Sequence, residues 1–286
     1  MGDLNRLIFY FRKLFEIVWR CFVVRFLKYS AANYNALNKN GLHNFAQNHS
    51  LHIYESNSIY SFIPKNACST MRTSIAYANG CIDNSQDFNW IHKNNQTFRA
   101  SLSDLIRADY TFVILRCPYA RLASLYLDKI VSKYPPAWNF YDLIKRTTEL
   151  DNISFTDFVN HLSKKPILNG DIHWRQQTDF LVYQQYDDYF CLEDFKQVIK
   201  TLNEKIGLDI IDARDLTNHG INKFELVDDE NYAQVKSSDI LRLKTNGYCP
   251  TPKSLYSDKL IEKVKTIYEQ DLKLYQENFP QEYLMF

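Results

Sequence analysis

Glycine is scarce in this chain: seven occur in 286 residues, and none lies between Ser61 and Thr70. A glycine-rich phosphate loop of the form Gly-x-x-x-x-Gly-Lys-Ser/Thr is therefore excluded. Cysteine lacks the patterns that carry chemistry. The six, at positions 21, 68, 81, 117, 191 and 249, form no Cys-x-x-Cys pair and no zinc spacing. They read as core thiols of a protein from a reducing compartment. Surplus charge is lacking too: a net +1 excludes a broad nucleic-acid surface, so any anion must be met by a local cluster. Nor is there an uncharged apolar run of the ~20 residues a bilayer span requires. Arg12, Lys13, Glu16, Arg20 and Arg25 interrupt the apolar stretch 7–28, which reads as neither signal peptide nor spanning anchor.

Aromatic residues are abundant, with 20 Tyr, 19 Phe and 4 Trp, and the length suits one large domain with an appendage. Residues 1–30 read as a basic amphipathic helix: Arg6, Arg12, Lys13, Glu16, Arg20 and Lys28 gather on one half of a wheel, Leu7, Ile8, Phe11, Leu14, Phe15, Val18 and Phe22 on the other. Such a helix either lies on an anionic membrane through residues 6–28 or packs on its own domain or a second subunit. Residues 31–50 are polar and Asn-rich and read as a linker; 51–286 form the main domain. There, strands over 53–63 and 110–115 alternate with helices over 69–78, 101–107 and 118–131, the pattern of an α/β fold with a parallel sheet flanked by helices. Residues 133–150 read as a loop or lid, 180–183 and 189–192 as short strands, 195–206 as a helix, 244–253 as a flexible turn-rich stretch and 257–279 as one closing helix.

Two segments carry the chemistry. Ser61-Phe62-Ile63-Pro64-Lys65-Asn66-Ala67-Cys68-Ser69-Thr70-Met71-Arg72 is an apolar strand that breaks at proline and enters a helix through a lysine and two hydroxyls. The run from Tyr110 to Tyr126 is a second buried-type strand that ends on Arg116 and turns at Pro118 into a helix. At such junctions free backbone N–H groups and the helix dipole favour anions. Two of them imply a ligand phosphorylated in two places. Taken alone, the Ser/Thr run is also what a plain capped helix shows. A kinase-like nucleotide enzyme would need a carboxylate for magnesium at the end of a buried strand, where this chain has Arg116.

At these residues the chain resembles the sulfotransferases that use 3'-phosphoadenosine 5'-phosphosulfate, in particular the carbohydrate branch. Pro64-Lys65-Asn66-Ala67-Cys68-Ser69-Thr70 matches its 5'-phosphosulfate loop, with Arg72 where lysine or arginine is common. Arg116, Pro118, Tyr119, Arg121, Leu122, Ser124 and Tyr126 match its 3'-phosphate motif; Cys117 stands where an acid that braces the loop is usual. His173-Trp174-x-x-Gln177 and Tyr268-x-x-Asp271 extend the similarity over roughly residues 51–279. The resemblance implies a sulfotransferase fold like that of the phosphate-loop nucleoside triphosphatases, a metal-free site, and sulfuryl transfer to a hydroxyl of a polysaccharide, lipopolysaccharide or glycolipid. It assigns the 5' end of the donor to Lys65, Asn66, Ala67, Cys68, Ser69 and Thr70, the 3'-phosphate to Arg116 and Ser124, and charge on the departing oxygen to Lys65. The branch places a His or Glu base between the two motifs, which points to His92, with Asp87 and His173 in reserve. His173, Trp174 and Arg175 are assigned to the acceptor, Trp174 by stacking on a sugar. Animal relatives carry a spanning anchor, so its absence implies a cytoplasmic bacterial enzyme, placed at the inner face of the membrane if residues 6–28 lie on it rather than pack on protein. The rival within the same fold is a non-catalytic nucleotide-binding protein.

Overall fold

The computed structural model describes residues 24–30, 36–83, 87, 89–94, 96–211 and 223–286. Most of the expected amphipathic helix lies outside these residues. Among them, no helix is long and apolar enough to cross a membrane.

In chain order the elements are α1 (Gly41–Asn48), β1 (Ser50–Ile53), β2 (Ser58–Ser61), α2 (Cys68–Ala78), α3 (Trp90–Lys93), α4 (Leu102–Arg107), β3 (Tyr110–Leu115), α5 (Pro118–Leu125), a π-helical turn (Tyr126–Ile130), α6 (Pro135–Leu143), α7 (Phe155–Leu162), α8 (Lys165–Leu168), β4 (Asp188–Cys191), α9 (Phe195–Ile206), β5 (Glu225–Val227), α10 (Ser237–Thr245), β6 (Tyr248–Pro250), α11 (Asp258–Ile267) and α12 (Glu269–Asn278). The main sheet has the order β1-β2-β3-β4; β1 pairs antiparallel with β2, while β2, β3 and β4 run parallel. Every residue of β3 is buried, as a parallel strand covered on both faces must be. Its side chains alternate between two cores: Val113 and Leu115 join one, Phe112 and Ile114 the other. β5 and β6 form a separate parallel pair.

The structure corrects several sequence expectations. Residues 53–63 are not one strand: the chain reverses at Asn57, whose φ is 46° and whose side-chain amide donates to the Arg107 carbonyl at 2.8 Å. Residues 31–50 are not simply a linker, since Asn40 caps α1 by accepting from the Leu42 and His43 amides, and Phe45 and His49 pack edge-on against Phe180. The domain reaches further towards the N-terminus, because Arg25 pairs with Asp187 at 2.7 Å and Leu27 and Tyr29 are buried. Pro135 and Pro136 open α6 within the expected loop 133–150, where the first helical turn needs no proline N–H. Residues 180–183 form no strand, part of 244–253 belongs to β6, and the closing helix breaks at Tyr268.

α12 docks through Asp271, which is 1% exposed and accepts from the Gln177 amide at 2.7 Å and the Thr178 amide at 2.9 Å. Burial pushes its carboxyl pKa up, against those two hydrogen bonds. Replacing Asp271 by Ala strands two buried amides and is expected to cost about 2–5 kcal/mol. Urea unfolding reads this directly; a loss below ~0.5 kcal/mol would mean that α12 is held by packing alone.

Candidate active site

The first junction follows β2. Lys65 (φ 73°) and Ala67 (φ 54°) both occupy the left-handed region, a conformation that costs a non-glycine residue about 1 kcal/mol or more. Three side chains hold it. The Asn66 side chain is fully buried and donates to the Ile114 carbonyl at 2.9 Å and to Gln177 Oε1 at 2.6 Å. Arg116 Nη1 donates to the Lys65 carbonyl at 3.0 Å. Arg121 Nε donates to the Pro64 carbonyl at 3.1 Å. The product is a helix start at Cys68 whose N-cap, Ala67, offers no side-chain acceptor. The first-turn amides of Cys68, Ser69 and Thr70 are left for an anion.

The second junction follows β3. Pro118 opens α5, which carries a half-buried Ser124. The acid expected at position 117 arrives from elsewhere: Glu193, just after β4, accepts from the Cys117 amide at 3.1 Å. Gln177 joins the two junctions, because Oε1 that receives Asn66 also accepts from the Arg116 amide at 3.1 Å, and Nε2 donates to the Arg116 carbonyl at 2.9 Å. The structure thus brings Lys65, Asn66 and Arg116 together. Tyr119, Leu122 and Tyr126 of the motif lie in the core.

Sequence reasoning missed Asp128. It sits in the π-helical turn, 6% exposed, and receives Lys65 Nζ at 2.6 Å and Lys129 Nζ at 3.2 Å on one oxygen. Burial lowers the Lys65 pKa; the charge and hydrogen bond of Asp128 oppose this, and Lys129 and Arg116 add to it. An acid four residues beyond Ser124 carries no motif of its own, though π turns recur at functional sites. Beside it opens a cleft of about 230 Å³, lined by Asp128, Ser132, Tyr134, Phe224, Leu241 and Lys244, among others.

His92 is exposed on α3, a helix tied to α2 by Arg72, whose guanidinium donates to the Ile91 carbonyl. Asp87 is exposed as well. His173 is half-buried, its Nδ1 2.6 Å from Asp171 Oδ1. Trp174 is fully buried; its Nε1 donates to the Ile167 carbonyl at 2.7 Å, and its ring meets Phe140 and Phe158 edge-on. Neither face is open to a sugar, so the stacking role expected of Trp174 is corrected to a core role. Arg175 pairs with Asp179 at 2.7 Å and covers Phe45, 3.9 Å from its ring centre.

Arg121 is the other residue whose role the sequence understated. Its buried guanidinium donates to the carbonyls of Pro64, Arg175 (2.8 Å) and Ile172 (3.5 Å), tying the first junction to the segment that presents Gln177. Lysine lacks the planar fork to reach three separate acceptors. Arg121→Lys is therefore expected to lose about 2–4 kcal/mol of stability and to speed hydrogen exchange at residues 66–70. Wild-type exchange there would show that Arg121 does not hold the loop.

The sulfotransferase family model matches residues 54–279, a span that takes in both junctions, Gln177 and Asp271. No curated protein and no solved structure matches the chain. The chain belongs to the sulfotransferase family.

Proposed function

We propose that this sulfotransferase takes the sulfuryl group of 3'-phosphoadenosine 5'-phosphosulfate to a hydroxyl of a saccharide acceptor. The observation that carries the reading is the Gln177 bridge: it fixes two anion-accepting strand-to-helix junctions at one separation, as a donor with phosphate at both its 3' and 5' ends requires. The amides of Cys68 to Thr70, with the Ser69 and Thr70 hydroxyls, suit the 5' end; Arg116 and Ser124 suit the 3'-phosphate, arginine by a forked contact. During in-line displacement the bond from sulfur to the donor's phosphate oxygen breaks as the bond to the acceptor oxygen forms. Lys65 neutralises the departing oxygen, and the acceptor's proton passes to a base. His92 is our candidate for that base, since histidine titrates near neutral pH and Arg72 tethers its helix to α2. The reaction needs no metal in this scheme.

3'-Phosphoadenosine 5'-phosphate, the spent donor, should bind and raise the melting temperature in EDTA through linkage. Arg116→Ala should weaken that binding at least tenfold. Stabilisation by ATP and magnesium but not by the bisphosphate would support a kinase-like enzyme instead.

His92→Ala should keep nucleotide affinity but lose about 10²- to 10⁴-fold in turnover. It should also lose the fall in rate as pH drops through the histidine range, whereas Lys65→Ala should lose turnover and retain that limb. Near-normal turnover of His92→Ala would move the role to Asp87 or His173.

A further inference from the structure

The grip proposed for the 3'-phosphate comes from two residues on either side of a short link: Arg116, just after β3, and Ser124 on α5, joined through Cys117, Pro118 and Tyr119. Their spacing is set by whatever holds that link. Gln177 fixes only its Arg116 end, and Pro118 has no N–H to tie.

The remaining handles are taken by residues far along the chain. Glu193 accepts from the Cys117 amide, and the Tyr256 hydroxyl donates to the Tyr119 carbonyl at 2.9 Å. The segment that follows α12 meets the side chains. Its Met285 amide donates to Cys117 Sγ at 3.4 Å, and the Phe286 ring stands edge-on to Tyr119 and Tyr256, with 5.2 Å and 5.1 Å between centres. Tyr119 and Tyr256 are themselves edge-on at 5.7 Å, so the link is clasped by a cluster of rings in a favourable mutual geometry. The segment is fastened at its other end as well. Tyr283 donates through its hydroxyl to Asp194 at 3.4 Å, and the neighbouring Glu193 receives the hydroxyl of Tyr275 on α12 at 2.8 Å. Whereas Tyr119 and Tyr256 are buried, Phe286 is 39% exposed, so its ring can be removed without opening the core.

We propose that Met285 and Phe286 are positioning residues of the donor site: they hold the link between β3 and α5, hence the spacing of Arg116 and Ser124, and so contribute to the preference for a nucleotide that carries a 3'-phosphate. The proposal rests on the sulfotransferase reading above.

The test is calorimetric titration of the full chain with 3'-phosphoadenosine 5'-phosphate and with adenosine 5'-monophosphate, which lacks only the 3' group. Two variants probe the segment. Phe286→Ala removes the ring, and Met285→Pro removes the donated N–H after a residue, Leu284, that is already extended at ψ 143°, as a following proline requires. Each should weaken the bisphosphate about fivefold or more and leave the monophosphate within about twofold. Phe286→Tyr, which keeps the ring, should restore the bisphosphate affinity. A loss shared equally by the two nucleotides would mean a merely structural role, and an unchanged bisphosphate affinity would mean that Glu193 and Tyr256 hold the link unaided; either result would overturn the proposal and leave the sulfotransferase reading intact. Should Met285→Pro fail to fold, the exposed Phe286 position decides. A wild type with no preference for the bisphosphate would instead overturn that reading.

Discussion

One side-chain amide sets the geometry on which the rest of the site depends. Gln177 accepts from Asn66 and from the Arg116 backbone and donates back to the Arg116 carbonyl, so the loop after β2 and the loop after β3 cannot shift independently. Its own position is fixed from behind, where Asp271 receives the Gln177 and Thr178 amides. The chain from α12 to the two strand ends is thus a single buried hydrogen-bond network. In such surroundings a satisfied network rigidifies, and a broken one is costly.

That rigidity lets the first loop work without glycine. Lys65 and Ala67 hold positive φ values that the sequence alone would not choose, and strain of this kind persists only where the surroundings over-determine it. Here the surroundings are Asn66, Arg116 and Arg121, each gripping a consecutive piece of the loop. Arg116, proposed to grip the 3'-phosphate, thus has a structural duty as well, since it fastens the carbonyl of Lys65, the residue proposed to neutralise the leaving group.

The β3 strand, α9 and the two junctions were legible in the sequence because local signals coincide there: uniform burial, a proline at a helix start, a lysine and hydroxyls at the turn. Helix α6 and the hairpin at Asn57 were not, because Pro135-Pro136 and a short polar turn each have two local readings that only packing decides. Cys117 read as a lost brace, yet Glu193 supplies the carboxylate from 76 positions away; long-range replacement leaves no trace in local pattern. For the same reason Asp128 was invisible and Trp174 was misplaced. The His-Trp-x-x-Gln segment looked like an acceptor contact, and the structure makes Trp174 core and Gln177 the brace.

The central claim is that the two junctions act as one preorganised site for a ligand phosphorylated at both ends. It is tested most directly by calorimetric titration of wild type and Gln177→Ala with 3'-phosphoadenosine 5'-phosphate and with adenosine 5'-monophosphate. The account predicts that the bisphosphate binds the wild type at least a hundredfold more tightly, and that the advantage falls below about tenfold in Gln177→Ala, where both halves persist but their separation is no longer fixed. An undiminished advantage in the variant would contradict it.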